Sequence, residues 1–185
     1  MAALIAAANA PNYPAEIVLV LSDRADAGGL ALATAAGVTA EVVGWRGAHE
    51  RPAFEAELDR RLRSEHVEIV CLAGFMRILS ADFVYRWQNR IINIHPSLLP
   101  AFPGLDTHAR VIAAGAPAHG ATVHYVSAEV DAGPIVAQAV VPVLPGDTPE
   151  VLAARVLQVE HRLYPEGLRQ VASRIPRLDN LPVAR

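Results

Sequence analysis

Two side chains able to polarise a carbonyl and move a proton stand two positions apart, at Asn93 and His95. They close the run Arg90-Ile91-Ile92-Asn93-Ile94-His95, whose β-branched residues predict a strand over Arg90 to Ile94. Strand alternation then puts the amide and the imidazole on one face. A carboxylate is available at Asp131, in the turn sequence Asp131-Ala132-Gly133-Pro134 between two predicted strands, where it can come alongside His95. An amide, an imidazole and a carboxylate can thus meet at one strand end, where hydrogen bonding and proton transfer are both available. Each also has an ordinary structural reading: a histidine at a strand end is often structural, and an aspartate before Gly and Pro is often only a turn residue.

Other chemistries have less support. All 16 basic residues are arginines, so a P-loop lysine, a Schiff-base lysine and a lysine base are excluded. The single thiol, Cys71, lies in the apolar run Glu68 to Ala73 and reads as a buried strand residue. His49, His66, His108, His119, His124 and His161 are scattered, without the helical zinc spacing, so no metal is expected. No GxGxxG follows a strand.

The 185 residues carry a net charge of −3, 52% apolar and 5% aromatic residues. That supports a well-filled core and argues against a nucleic-acid footprint, a polybasic membrane patch or a base-stacking platform. The short apolar start lacks a preceding positive charge, so it reads as a helix rather than a leader. With a lone thiol, the chain is expected to be reduced and cytoplasmic.

The elements that position these residues alternate. Strands are predicted over Ile17 to Leu21, Thr39 to Val43, Val67 to Ala73, Arg90 to Ile94, Ala121 to Val126 and Ile135 to Val143. Helices are predicted over Gly29 to Ala36, Arg51 to His66, Ser80 to Gln88, Thr107 to Ala114 and from Asp147 to about Ser173. In the second of these, Phe54, Leu58 and Leu62 recur at i, i+4 and i+8. The alternation implies a Rossmann-like α/β fold with a mainly parallel sheet and an antiparallel edge, spanning 1–185 as one domain with 175–185 a peripheral tail. Ligands in such sheets bind beyond the carboxyl ends of the strands. Gly74 to Leu79 and Pro96 to Gly104 occupy that position, and the three prolines of the second loop suit it to hold a fixed surface.

The blocks Ala73-Gly74-Phe75-Met76-Arg77-Ile78-Leu79, Asn93-Ile94-His95-Pro96-Ser97-Leu98-Leu99-Pro100, His119-Gly120-Ala121-Thr122-Val123-His124 and Asp131-Ala132-Gly133-Pro134-Ile135 occur in that order. Together they resemble the phosphoribosylglycinamide formyltransferase family, over about Ile17 to Tyr164. The Asn-x-His-Pro-Ser-Leu-Leu-Pro block is shared with other formyl-folate enzymes, whereas Phe102 to Leu105 resembles the glycinamide ribonucleotide branch. The resemblance implies transfer of the formyl group of N10-formyltetrahydrofolate, a co-substrate, to the amine of 5'-phosphoribosylglycinamide in purine biosynthesis. It implies that Asn93, His95 and Asp131 are catalytic: Asn93 as amide donor, His95 as imidazolium and proton donor, Asp131 as the anion that stabilises it. It implies folate contacts from Arg51, from Met76, Arg77, Ile78 and Leu79, from Asn93, and from Ser127, Ala128, Glu129, Val130 and Asp131, and a ribonucleotide contact from Glu160. On residue type alone, Arg51 reads equally as a solvated arginine and Glu160 as an ordinary helix glutamate.

The family opens with a further strand and a Gly-rich loop ending in Gly-Ser-Asn, which holds the substrate phosphate at a helix N-terminus. Here Met1 stands where that helix is under way. The expectation is that the functional protein carries roughly a dozen or more residues before Met1, a strand and its loop. The alternatives are a catalytically weak folate-binding protein without the phosphate loop, and a formyltetrahydrofolate deformylase.

Overall fold

A computed structural model describes residues 1–175. Apart from Ile175, the expected peripheral tail therefore lies outside the described residues. The element order is α1 (Ala2–Ala8), β1 (Leu19–Ser22), α2 (Gly28–Ala35), β2 (Thr39–Val42), a 3-10 turn at Ala48–Glu50, α3 (Arg51–Ser64), β3 (Val70–Leu72), α4 (Ala81–Arg86), β4 (Ile91–His95), α5 (Thr107–Ala113), β5 (Ala118–Tyr125), β6 (Ile135–Pro142) and α6 (Pro149–Ala172).

Each element has a local cause. The stripe expected on α3 is realised, with Phe54, Leu58 and Leu62 all buried. The Ser80 hydroxyl accepts from the Phe83 amide and starts α4. Thr148 does the same for the Val151 amide at the start of α6, one residue before Pro149. On β4, Ile91 packs with Phe54, Leu58, Phe83 and Trp87, while the next residue, Ile92, packs with Val156, Leu163 and Leu168 of α6. Adjacent residues thus serve opposite faces, and helices cover both sides of the strand.

Strands β1 and β2 pair in parallel, as do β3 and β4; β4–β5 and β5–β6 are antiparallel. The expected antiparallel edge is present and takes in two pairings, β4–β5 across α5 and β5–β6. The cause of the first lies in the proline-rich loop. Its Ser97 carbonyl accepts from the Thr122 hydroxyl, and its Leu99 amide donates to the same oxygen. The loop is thereby fastened to β5 beside the end of β4, and β5 runs back along β4 instead of crossing over.

The strands form two sheets, β1–β2 and β3–β4–β5–β6. The free edges of β1 and β3 border a cavity of about 1240 Å³, lined by Leu19, Leu21, Val70, Leu72 and Phe83 among others, with Met1 at its border. This cavity is separate from the His95 cluster. Among the described residues, no helix is long and apolar enough to cross a membrane.

Candidate active site

The end of β4 presents His95, 6% exposed, with an acceptor at each ring nitrogen. Nδ1 is 3.2 Å from Asp131 Oδ2, and Nε2 is 3.1 Å from the Phe102 carbonyl. An imidazolium donates both its N–H groups, so this pair of acceptors matches the cation. Asp131 is brought to His95 by a tight turn. Its φ is 54°, in the left-handed region that Asp tolerates better than most residues. Two residues on, a Cβ at Gly133 would lie 1.8 Å from the Tyr125 carbonyl oxygen, so only glycine allows this close return of the chain. The Gly104 amide also donates to Asp131 Oδ2, at 2.8 Å, which fixes the proline-rich loop over the carboxylate.

Asn93 lies on the same strand, and its Nδ2 is 3.3 Å from His124 Nε2. His124 stands directly opposite Asn93 in the antiparallel β4–β5 register. Its Nδ1 is 2.9 Å from the Tyr125 carbonyl; donation there leaves Nε2 as the acceptor for the Asn93 amide. Burial, the largest influence, lowers the His124 pKa; the Tyr125 carbonyl and Asp131 oppose this, and His95 adds to it. A neutral His124 therefore orients Asn93, with Nε2 3.6 Å from Asp131 Oδ1. His124 was not among the expected site residues. Its partnership depends on β5 lying antiparallel to β4, and the spacing of the histidines carries no trace of that pairing.

The remaining expected residues divide by location. In the segment after β3, Met76 and Ile78 are 70% and 64% exposed, an apolar surface at the carboxyl end of the sheet. Leu79 instead packs into the core with Phe54 and Phe83, so only its backbone is available to a ligand. The Arg77 side chain is also engaged, with Nε 2.7 Å from Asp23 Oδ2. In the turn after β5, the Ser127 hydroxyl donates to the Glu129 carbonyl, Ala128 and Glu129 are exposed, and Val130 presents an apolar side chain to solvent. Arg51 opens α3; its Nε is buried without a hydrogen-bond partner, and among the described residues no hydrogen bond or ion pair joins its side chain to the other expected site residues. Glu160 shares a cavity of about 280 Å³ with Gly74 and Ile94, next to the β3 and β4 ends. Burial raises its pKa, and the Met1 ammonium opposes that shift. Among the described residues, no group of three or more His, Cys, Asp or Glu is placed to hold a metal ion.

A second histidine pair lies behind the cluster. His108 Nδ1 is 3.0 Å from His119 Nε2, and His119 Nδ1 is buried without a partner. Burial, with repulsion from His108 and His95, pushes the His119 pKa down to about 4.

Residues 1–168 match the formyl transferase family. The chain is 48% identical over 171 residues to the trifunctional purine biosynthetic protein adenosine-3 of Gallus gallus, covering 92% of this chain and 17% of that protein. It thus spans about a sixth of that relative's length. It is 41% identical over 163 residues to the phosphoribosylglycinamide formyltransferase of Escherichia coli (strain K12), covering 88% of this chain and 77% of the relative. The crystal structure of phosphoribosylglycinamide formyltransferase from Brucella melitensis superposes with a TM-score of 0.89 at 53% identity, covering 95% of this chain and 91% of that one. The chain belongs to the formyl transferase family and, within it, stands with the phosphoribosylglycinamide formyltransferases.

Proposed function

We propose that the chain transfers the formyl group of N10-formyltetrahydrofolate to the amine of 5'-phosphoribosylglycinamide. The observation that carries this reading is the buried His95–Asp131 pair at 3.2 Å, with His95 two residues beyond Asn93 on the same strand face. The amine attacks the formyl carbon, the C=O bond becomes a C–O⁻ bond, and a tetrahedral intermediate forms. The Asn93 amide and the His95 imidazolium donate to that oxygen. His95 Nε2 exchanges its Phe102 acceptor for the substrate. As the bond from carbon to the folate nitrogen breaks, the imidazolium gives its proton to that nitrogen, and the attacking amine gives up one of its own to the neutral imidazole, which restores the imidazolium. Asp131 remains ionised and holds the imidazolium. No covalent enzyme intermediate is needed.

Met76, Ile78 and the backbone of Arg77 and Leu79 face the pterin side of the folate, with Ser127 to Asp131 around its edge. The buried, unpartnered Nε of Arg51 suits a ligand carboxylate, and Glu160 suits the polar part of the ribonucleotide. In the purified protein, His95→Ala is expected to lower formyl transfer by about 10²-fold or more with little change in folate binding. Near-normal turnover in that variant overturns the assignment. Formate release without the ribonucleotide identifies a deformylase instead.

The cavity between β1 and β3 favours a second reading for residues 1–185 on their own. Among the described residues both bordering edges lack strand partners, and a further strand seated between them would satisfy their open backbone groups. Without it, this span binds folate better than ribonucleotide and turns over poorly. Full ribonucleotide affinity in a preparation whose mass begins at Met1 contradicts that reading.

A further inference from the structure

The loop after β3 is held at two points. At its end, the Ser80 amide donates to Glu55 Oε1 at 2.6 Å, and Glu55 is itself buried. At its middle, Arg77 reaches across the border of the inter-sheet cavity to Asp23, the residue after β1. Its guanidinium also lies over the Trp45 ring, 5.2 Å from the centroid, beyond the end of β2. Trp45 packs edge-on to Phe54 at 5.1 Å, and Phe54 stacks with Phe75 at 6.4 Å. One arginine thus joins the rims of three strands belonging to two separate sheets. Its neighbours Met76 and Ile78 point outward and are mostly exposed, so they give the segment little packing of its own. The Asp23 carboxylate, 19% exposed, is the ionic partner that keeps Arg77 in place.

We propose that Asp23 is a positioning residue for folate: by holding Arg77 against Trp45, it sets the backbone of Met76 to Leu79 in the conformation that receives the pterin. The inference rests on the reading of that segment as folate-binding. Asp23 touches no reacting atom, and its effect falls on folate affinity rather than on the chemical step.

The test is Asp23→Asn, which keeps the shape and removes the charge. The KM for formyl-folate is expected to rise about fivefold, as for a partly shielded ion pair, with kcat within twofold. Asp23→Glu should recover part of the loss. The chain has two tryptophans, Trp45 and Trp87. In a Trp87→Phe background, Trp45 emission should change with Asp23→Asn, because the cation over its ring is released. A lower melting temperature with unchanged KM and unchanged Trp45 emission overturns the proposal, as does a loss confined to kcat. If the unaltered protein fails to bind formyl-folate, the folate reading falls; the Trp45 signal distinguishes that result from failure of the latch.

Discussion

The β4–β5 side of the sheet and the β1–β2 side are braced in different ways. Around His95, hydrogen bonds from separate elements converge on a few buried oxygens. Thr122 Oγ1 donates to the Ser97 carbonyl and accepts from the Leu99 amide and from Gln138 Nε2, joining the proline-rich loop, β5 and β6. Gln138 Nε2 also reaches the Leu99 carbonyl, and the Thr107 hydroxyl fixes the Pro96 carbonyl from α5. On the other side, β1 and β2 pair with each other over four residues. They are held from outside by partly exposed contacts such as Arg61–Glu41 and Arg77–Asp23. Groups that handle a proton must be held to a fraction of an ångström, whereas a surface that grips an apolar ring tolerates more play. Under the proposed function, the contrast matches a division of labour, with chemistry on the antiparallel side and ligand grip along the rim that both sides share.

The contrast can be broken most forcefully at Asn93. Asn93→Ala removes the proposed donor to the oxyanion and is expected to slow formyl transfer by about 10²-fold while changing folate affinity much less. Steady-state kinetics beside a folate titration checks this. Thr122→Val comes next. It leaves the Leu99 amide and the Ser97 carbonyl without their partner in a fully buried place, so about 1–3 kcal/mol of stability should be lost in urea unfolding. Glu41→Gln on the β2 side, at a pair about one-third exposed on each partner, should cost less than about 1 kcal/mol. Equal losses at the two positions would erase the distinction between the sides.

A smaller effect concerns pH. The His119 pKa is about 4 in the fold against an ordinary 6.5, and those of His108 and His124 are also lowered, burial being the largest cause each time. Between those values the unfolded chain binds more protons than the folded one, so stability falls as pH drops from 6.5 towards 4. Urea midpoints at pH 7.5 and 5 should show this, and His119→Gln should flatten the slope. Asp147, held down to about 2 by Arg155, weakens in the same direction but only below the ordinary carboxylate value of 3.8, which keeps the two contributions apart.

Much of this organisation is legible in the sequence because it is local. The stripe Phe54, Leu58 and Leu62, the Ser80 cap, the alternation that aligns Asn93 with His95, and the turn at Asp131 each depend on residues a few positions apart. What escapes is the pairing of distant elements. His124 meets Asn93 only through the antiparallel β4–β5 register, Thr122 meets the proline-rich loop only because that loop folds over β5, and Asp23 meets Arg77 across 54 positions of chain. Leu79 lies in a segment expected to contact folate, yet its side chain turns inward beside Ser80, which is anchored on Glu55.

The central claim is that Asp131 acts through His95, and a double-mutant cycle on kcat tests it most directly. His95→Ala, Asp131→Asn and the combined variant would be compared under saturating substrates. If the carboxylate serves the imidazolium, the double variant is as slow as His95→Ala alone, because removing Asp131 has nothing left to affect. If the two losses multiply, Asp131 acts independently of His95, and the account is contradicted.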